Sequence, residues 1–170
     1  MGYARTLIAF DVRTTHTITC DVAVAPGELL IRYELRPVSG IVIPTVVAQP
    51  TFSEGLWEHT CFEAFVQVEG ETGYREWNFS PSRDWATFAF SAYRRRLKEV
   101  PETLPRAPRM EGTPSDLYVS IPTTSDKPLR LGLTAVLEHN GGERSYWALA
   151  HSSSEPDFHR SESFLLKLAR

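Results

Sequence analysis

Methionine and cysteine are scarce: the 170-residue chain has two of each. One methionine is the initial residue and the other, Met110, sits in a proline-rich stretch. The cysteines, Cys20 and Cys61, both fall in strand-like runs and lack a CxxC spacing, so two buried free thiols are expected rather than a disulfide or a zinc site. Long apolar runs are missing too; none approaches the roughly 18 residues of a membrane-spanning helix. The short apolar run near the N-terminus is followed by Asp11-Val12-Arg13 rather than a small-residue cleavage site, so no signal peptide and a cytoplasmic protein are expected. An excess of basic charge is also absent. The net charge is −3, which argues against nucleic acid as the main partner. The one basic run, Arg94-Arg95-Arg96, reads as a solvated face. The chain has no GxGxxG, Walker loop, GxSxG or HExxH, so none of the common catalytic signatures is present. Repeats, low-complexity stretches and a domain boundary are also lacking, and residues 1–170 read as one domain.

What is present is alternation. Ile18, Cys20, Val22 and Val24 oppose Thr19, Asp21 and Ala23. After the turn at Pro26-Gly27-Glu28, Leu29, Ile31, Tyr33 and Leu35 face inward against Arg32, Glu34 and Arg36. Further strands are expected over Trp85–Tyr93, Leu117–Ile121, Leu129–Glu138, Ser145–His151 and Phe164–Leu168, with an Asn-Gly hairpin loop at residues 139–143. The segment 38–49 reads as an edge strand plus a loop, 94–100 as room for one helical turn, and 101–114 as irregular, because prolines stand at 101, 105, 108 and 114. About nine short strands, turn signals roughly every 8–12 residues and no long 3.6-residue period point to an all-β antiparallel sandwich.

The stretch Gly55–Pro81 departs from a plain amphipathic hairpin. Phe62, Ala64, Val66 and Val68 take one face of the first strand, and Arg75, Trp77 and Phe79 one face of the second. The other face carries Cys61, Glu63, Phe65, Gln67, Tyr74, Glu76 and Asn78. Two carboxylates and an amide at mid-strand can exchange hydrogen bonds with sugar hydroxyls, and Trp57, Trp77 or Trp85 could offer a platform to the apolar side of a sugar ring. The alternative is a wet face whose glutamates meet arginines, with the tryptophans in the core. A third reading makes Glu63 and Glu76 an acid/base pair. Near the C-terminus, His151, Asp157 and His159 form a second cluster. They either order a loop, line the same pocket as Glu63, or ligate a metal or haem, with His59 and Cys61 as further candidates.

The strings GLWEHTCFEAFVQV, YREWNFSPSRDWATFAFSAYR and YWALAHSSSEPDFHRSESFLLKL resemble the bacterial DOMON-like domain proteins, relatives of the family 9 carbohydrate-binding modules. Trp57 and Glu63 match a Trp-x-x-x-x-x-Glu pattern. The resemblance implies a jelly-roll or immunoglobulin-like β-sandwich with a pocket on one sheet for a sugar or a haem. It places Trp57, Glu63, Asn78, His151, Asp157 and His159 around that pocket. The haem-binding branch uses Met/His or Met/Lys ligation, for which Met110 is poorly placed. The expectation is therefore a non-catalytic site for a carbohydrate or sugar-like small molecule, holding no cofactor and no metal, with haem disfavoured. Glu76 joins the site from its place in the alternation.

Overall fold

A computed structural model describes residues 2–10 and 13–169. Its strands are β1 (Gly2–Thr6), β2 (Ile8–Ala9), β3 (Thr17–Ala25), β4 (Glu28–Arg36), β5 (Cys61–Val68) and β6 (Tyr74–Phe79). They continue with β7 (Trp85–Phe90), β8 (Arg109–Thr113), β9 (Asp116–Pro122), β10 (Leu129–Glu138), β11 (Arg144–Ala148) and β12 (Leu166–Leu168). The only helical pieces among the described residues are three single 3-10 turns, the first at Leu56–Glu58. The strands form two sheets whose ladders are all antiparallel. One has the order β1-β3-β4-β9-β8; the other runs β2-β11-β10-β5-β6-β7, with β12 also on β10.

The all-β sandwich expected from the alternation is what forms. Ile18, Cys20, Val22, Leu29, Ile31, Tyr33, Leu35, Leu117, Val119 and Ile121 supply the inner face of the first sheet. Phe62, Ala64, Trp77, Phe79 and the odd-numbered residues Leu129–Leu137 of β10 supply that of the second. Burial of these side chains is the main driving force for stacking the sheets. One polar contact crosses the layer: the Tyr33 hydroxyl donates to the Glu63 carbonyl oxygen at 2.7 Å. Cys20 and Cys61 are both buried free thiols.

The two sheets differ on their outer faces. The first is wet and charged, with Arg32 paired to Asp116 at 2.7 Å. The second is covered. Phe65, Tyr74, Ala86, Phe88, Phe90 and Phe164 form a separate apolar cluster there. That is why β5 is buried along almost its whole length, on both faces, as a strand covered on two sides must be.

Several expectations are corrected. Residues 101–114 are not irregular throughout: Pro101–Thr103 is a 3-10 turn and Arg109–Thr113 is β8. The prolines at 108 and 114 bracket that strand rather than interrupt it, and β8 is a sheet edge, where few backbone donors are needed. Met110 therefore lies in a strand, packed against the core. The segment 38–49 holds no strand, only a bridge from Ile41 to His139. The segment 94–100 holds no helical turn; Arg96 instead bridges back to Phe90. β1 and β2 escaped the pattern because β1 is an edge strand, largely exposed on both faces, and β2 is only two residues long.

Candidate ligand-binding site

The second sheet's outer face is organised in rows set by strand register. Asn78 pairs with Glu63, and Glu63 with Thr134, so these three form one row across β6, β5 and β10. The next row sets Phe88 beside Glu76 and Glu76 beside Phe65. On the other side, Cys61, Val136 and Tyr146 make a third. Antiparallel partners share a face, so the expected gathering of Glu63, Glu76 and Asn78 on one face is what the fold produces.

Above these rows opens a cavity of about 380 Å³, lined by Trp57, Glu63, Phe65, Glu76, Phe88, Phe90, Arg94, Arg96, Val136, Arg144, Tyr146, Pro156, Phe158 and His159. Its floor is acidic and its walls are aromatic. Trp57 sits on the 3-10 turn Leu56–Glu58, entered through Gly55 at φ +80°, a left-handed conformation that glycine adopts without strain. Its ring meets Phe88 edge-on at 5.9 Å between centroids. The Arg96 guanidinium lies 3.9 Å over the Phe88 ring and pairs with Glu54 at 2.7 Å. Opposite, Tyr146 and Phe158 approach to 6.2 Å.

The floor carboxyls each have one protein donor. The Thr134 hydroxyl donates to Glu63 Oε2 at 2.8 Å, and the Asn78 amide donates to Glu76 Oε1 at 2.8 Å. Burial, and then the neighbouring Glu76 carboxyl, push Glu63 up to about 8 against the Thr134 hydrogen bond. Burial raises Glu76 as well, opposed by the Asn78 hydrogen bond and by the charges of Arg96 and Arg94. Two carboxyls this close in a dry site cannot both ionise easily. His159 moves the other way. Burial, and then the Arg94 charge, push it down to about 4, so its ring is neutral at neutral pH. Its Nδ1 is 2.8 Å from the Tyr74 hydroxyl, which already accepts from the Arg94 backbone N–H. The Tyr74 hydroxyl proton is thus free to go to Nδ1, leaving the Nε2 hydrogen directed to the side where Glu76 Oε2 lies, 3.7 Å away. The floor therefore offers a protonated carboxyl as donor, carboxyl oxygens as acceptors and an imidazole N–H, in reach of aromatic faces.

The anticipated residues divide into three groups. Trp57, Glu63, Glu76 and His159 line the cavity. Asn78 and Asp157 stand behind it. Asn78 is fully buried and orients Glu76. Asp157 accepts from the Tyr93 hydroxyl at 2.6 Å and from Arg94 Nη2 at 2.9 Å, and so fixes Arg94 at the rim. His151 is elsewhere. Its Nε2 donates to the Ile8 carbonyl at 2.8 Å, and its ring meets Phe10 edge-on; the pairing of β2 with β11 draws it to that edge. His59 is likewise apart, on Glu138 at 2.8 Å. Among the described residues no three His, Cys, Asp or Glu side chains are grouped to hold a metal ion. Trp77 is core, stacked with Phe79, and Trp85 packs against the same core.

Sequence reasoning missed Arg94, Arg96, Arg144, Tyr146 and Phe158. The arginine run read as a solvated face, yet Arg94 and Arg96 flank the cavity. The available signal was their position just after β7, whose Phe88 and Phe90 share a face with Ala86.

No protein-family model matches the chain, and no curated protein matches it. Solved structures do resemble it. A protein from Bacteroides uniformis ATCC 8492, provisionally named as carbohydrate-binding, superimposes with TM-score 0.71 at 16% identity, over 96% of this chain and 84% of the other. A family 9 carbohydrate-binding module from Caldicellulosiruptor kristjanssonii, in complex with glucose, gives 0.63 at 8% identity, over 99% and 85%. The cellotriose complex of a family 9 module from the same organism gives 0.56 at 8%, over 89% and 74%. At such identities the likeness establishes a shared β-sandwich fold.

Proposed function

We propose that this chain is a non-catalytic binding domain for a carbohydrate or sugar-like small molecule, a DOMON-like relative of the family 9 carbohydrate-binding modules. The observation that carries the reading is the cavity itself. Glu63 and Glu76 form a hydrogen-bonding floor, each held by its own donor, beneath Trp57 and a ring of phenylalanines. A pyranose has the matching shape: a polar rim that exchanges hydrogen bonds and an apolar side that rests on an aromatic ring. The sugars named in the glucose and cellotriose complexes of structurally similar modules make this ligand class the first to test.

Intrinsic tryptophan fluorescence, titrated with mono- and oligosaccharides, tests it. Trp57 is about one-third exposed at the cavity mouth, so an occupant alters its environment. A saturable change with one sugar class is the expected result. Trp57→Ala should weaken binding roughly tenfold or more, about 1.4 kcal/mol per decade. It should move the melting temperature by only a few degrees, because this ring is not part of the core. Undiminished affinity in this variant and in Glu63→Gln would sink the assignment.

A further inference from the structure

A second cleft, of about 620 Å³, adjoins the aromatic cavity, and the two share one wall residue, Arg144. Arg144 opens β11 on the same face as Tyr146, one strand position closer to the hairpin loop. Its guanidinium is exposed and makes no ion pair or hydrogen bond among the described residues, and the same holds for Arg13, which also lines the second cleft. The other guanidiniums of the aromatic cavity are already neutralised, Arg94 by Asp157 and Arg96 by Glu54. Glu138, the cross-strand neighbour of Arg144, is held by His59.

The second cleft is polar, with Thr14, Thr15, His16, His139 and Ser145 in its lining beside the two arginines. His16 Nδ1 lies 2.8 Å from the Pro37 carbonyl, which can only accept, so Nδ1 carries its hydrogen and Nε2 is left free. Trp147 Nε1 donates to the Ser145 hydroxyl, which is also 2.8 Å from His139 Nε2. Among the described residues the sole carboxylate in the lining is Glu143. Among the described residues, two guanidiniums without an ion pair against one carboxylate leave an excess of positive charge next to a cavity whose own floor is acidic.

Resting on the sugar-binding reading above, we infer that the ligand carries an anionic group, a phosphate or a carboxylate, which lies on Arg144 and is directed into the cleft toward Arg13. The sugar ring occupies the aromatic cavity and the anion occupies the basic one. Planar guanidiniums suit both anions, which they hold through paired N–H donors.

Calorimetric titration of the full chain with glucose, galactose, their monophosphates and their uronates tests this. The anionic form of one sugar should bind about tenfold or more tighter than its neutral parent, the order of one charge-assisted contact. That advantage should shrink as salt rises from about 0.05 to about 0.5 M, and it should collapse toward parity in Arg13→Gln and Arg144→Gln. Both side chains are exposed, so the variants should fold, which their melting temperatures check. Tighter binding of the monophosphates identifies a phosphate, and of the uronates a carboxylate. Neutral sugars binding as tightly as their anionic forms would overturn the inference and leave the sugar-binding reading intact. So would an anionic advantage that neither variant reduces. Silence across the panel would overturn both.

Discussion

Glu63 and His159 titrate in opposite senses, and this gives the domain a characteristic dependence on pH. The folded state holds the Glu63 proton to about 8, against an ordinary 4.5, so above 4.5 the unfolded chain binds fewer protons and stability falls until pH 8. The folded state keeps His159 neutral down to about 4, against an ordinary 6.5, so stability also falls as pH drops below 6.5. The two effects oppose each other between 4.5 and 6.5, and above 6.5 the Glu63 effect, joined by that of the similarly raised Glu76, is no longer opposed by His159. The melting temperature should therefore decline from about pH 6.5 to pH 8, with a slope no steeper than about 1.4 kcal/mol per pH unit for one proton. Glu63→Gln, which can still accept from Thr134, should flatten that limb. His159→Gln should flatten the acid limb and leave the alkaline one. An alkaline limb that persists in Glu63→Gln would mean that another group holds the proton. Single residues of this site were partly legible in the sequence. Glu63, Glu76 and Asn78 stood out because polar groups at period two in a buried hairpin break an otherwise apolar pattern. Phe158 and Arg94 did not, because loop residues carry no period and reach the cavity through tertiary folding alone.

Strands β10 and β12 show how an element depends on one absent side chain. Gly132 of β10 leaves the space that Phe164 fills: a Cβ there would stand 2.6 Å from the Phe164 ring. That ring is buried and stacks on Phe65 at 5.6 Å. It precedes β12, whose Leu166 and Leu168 pair with Leu131 and Leu129 and enter the core. Gly132→Ala would push the ring off Phe65 and strain the anchorage of β12. It should destabilise the domain by about 1–3 kcal/mol, the usual range for overpacking, measured by urea unfolding. Gly142→Ala serves as a contrast. Nothing stands within 4 Å of its Cβ, so any loss there comes from its φ of +89°. Elements were easiest to read where one face is buried and the other wet, as in β3 and β4. They were hardest to read at edges. β8 is hidden among prolines: those at 101, 105, 108 and 114 break the stretch as a whole, while the five residues 109–113 contain none.

Over the whole molecule, the sandwich was legible because each inner face repeats every second residue, but which sheet carries the aromatic cavity was not. Alternation assigns residues to faces of their own strand. It does not say which sheet carries a second covering layer, and that layer is what turns a face into a cavity. Here the cavity is walled by four parts of the chain: the Trp57 turn, the segment after β7, the start of β11 and residues 156–159. A ligand that needs all four together binds only the folded domain, so occupancy should stabilise it as a unit. At about 100 times its dissociation constant, a sugar adds about 2.7 kcal/mol. For a chain of this size that corresponds to a rise of roughly 5–11 °C in melting temperature. Differential scanning fluorimetry with the best ligand from the fluorescence titration measures it. The rise should grow with the logarithm of ligand concentration and fall by about half or more in Trp57→Ala at the same ligand concentration. An equal rise in that variant would place the ligand away from the aromatic cavity, on a surface that these four segments do not build.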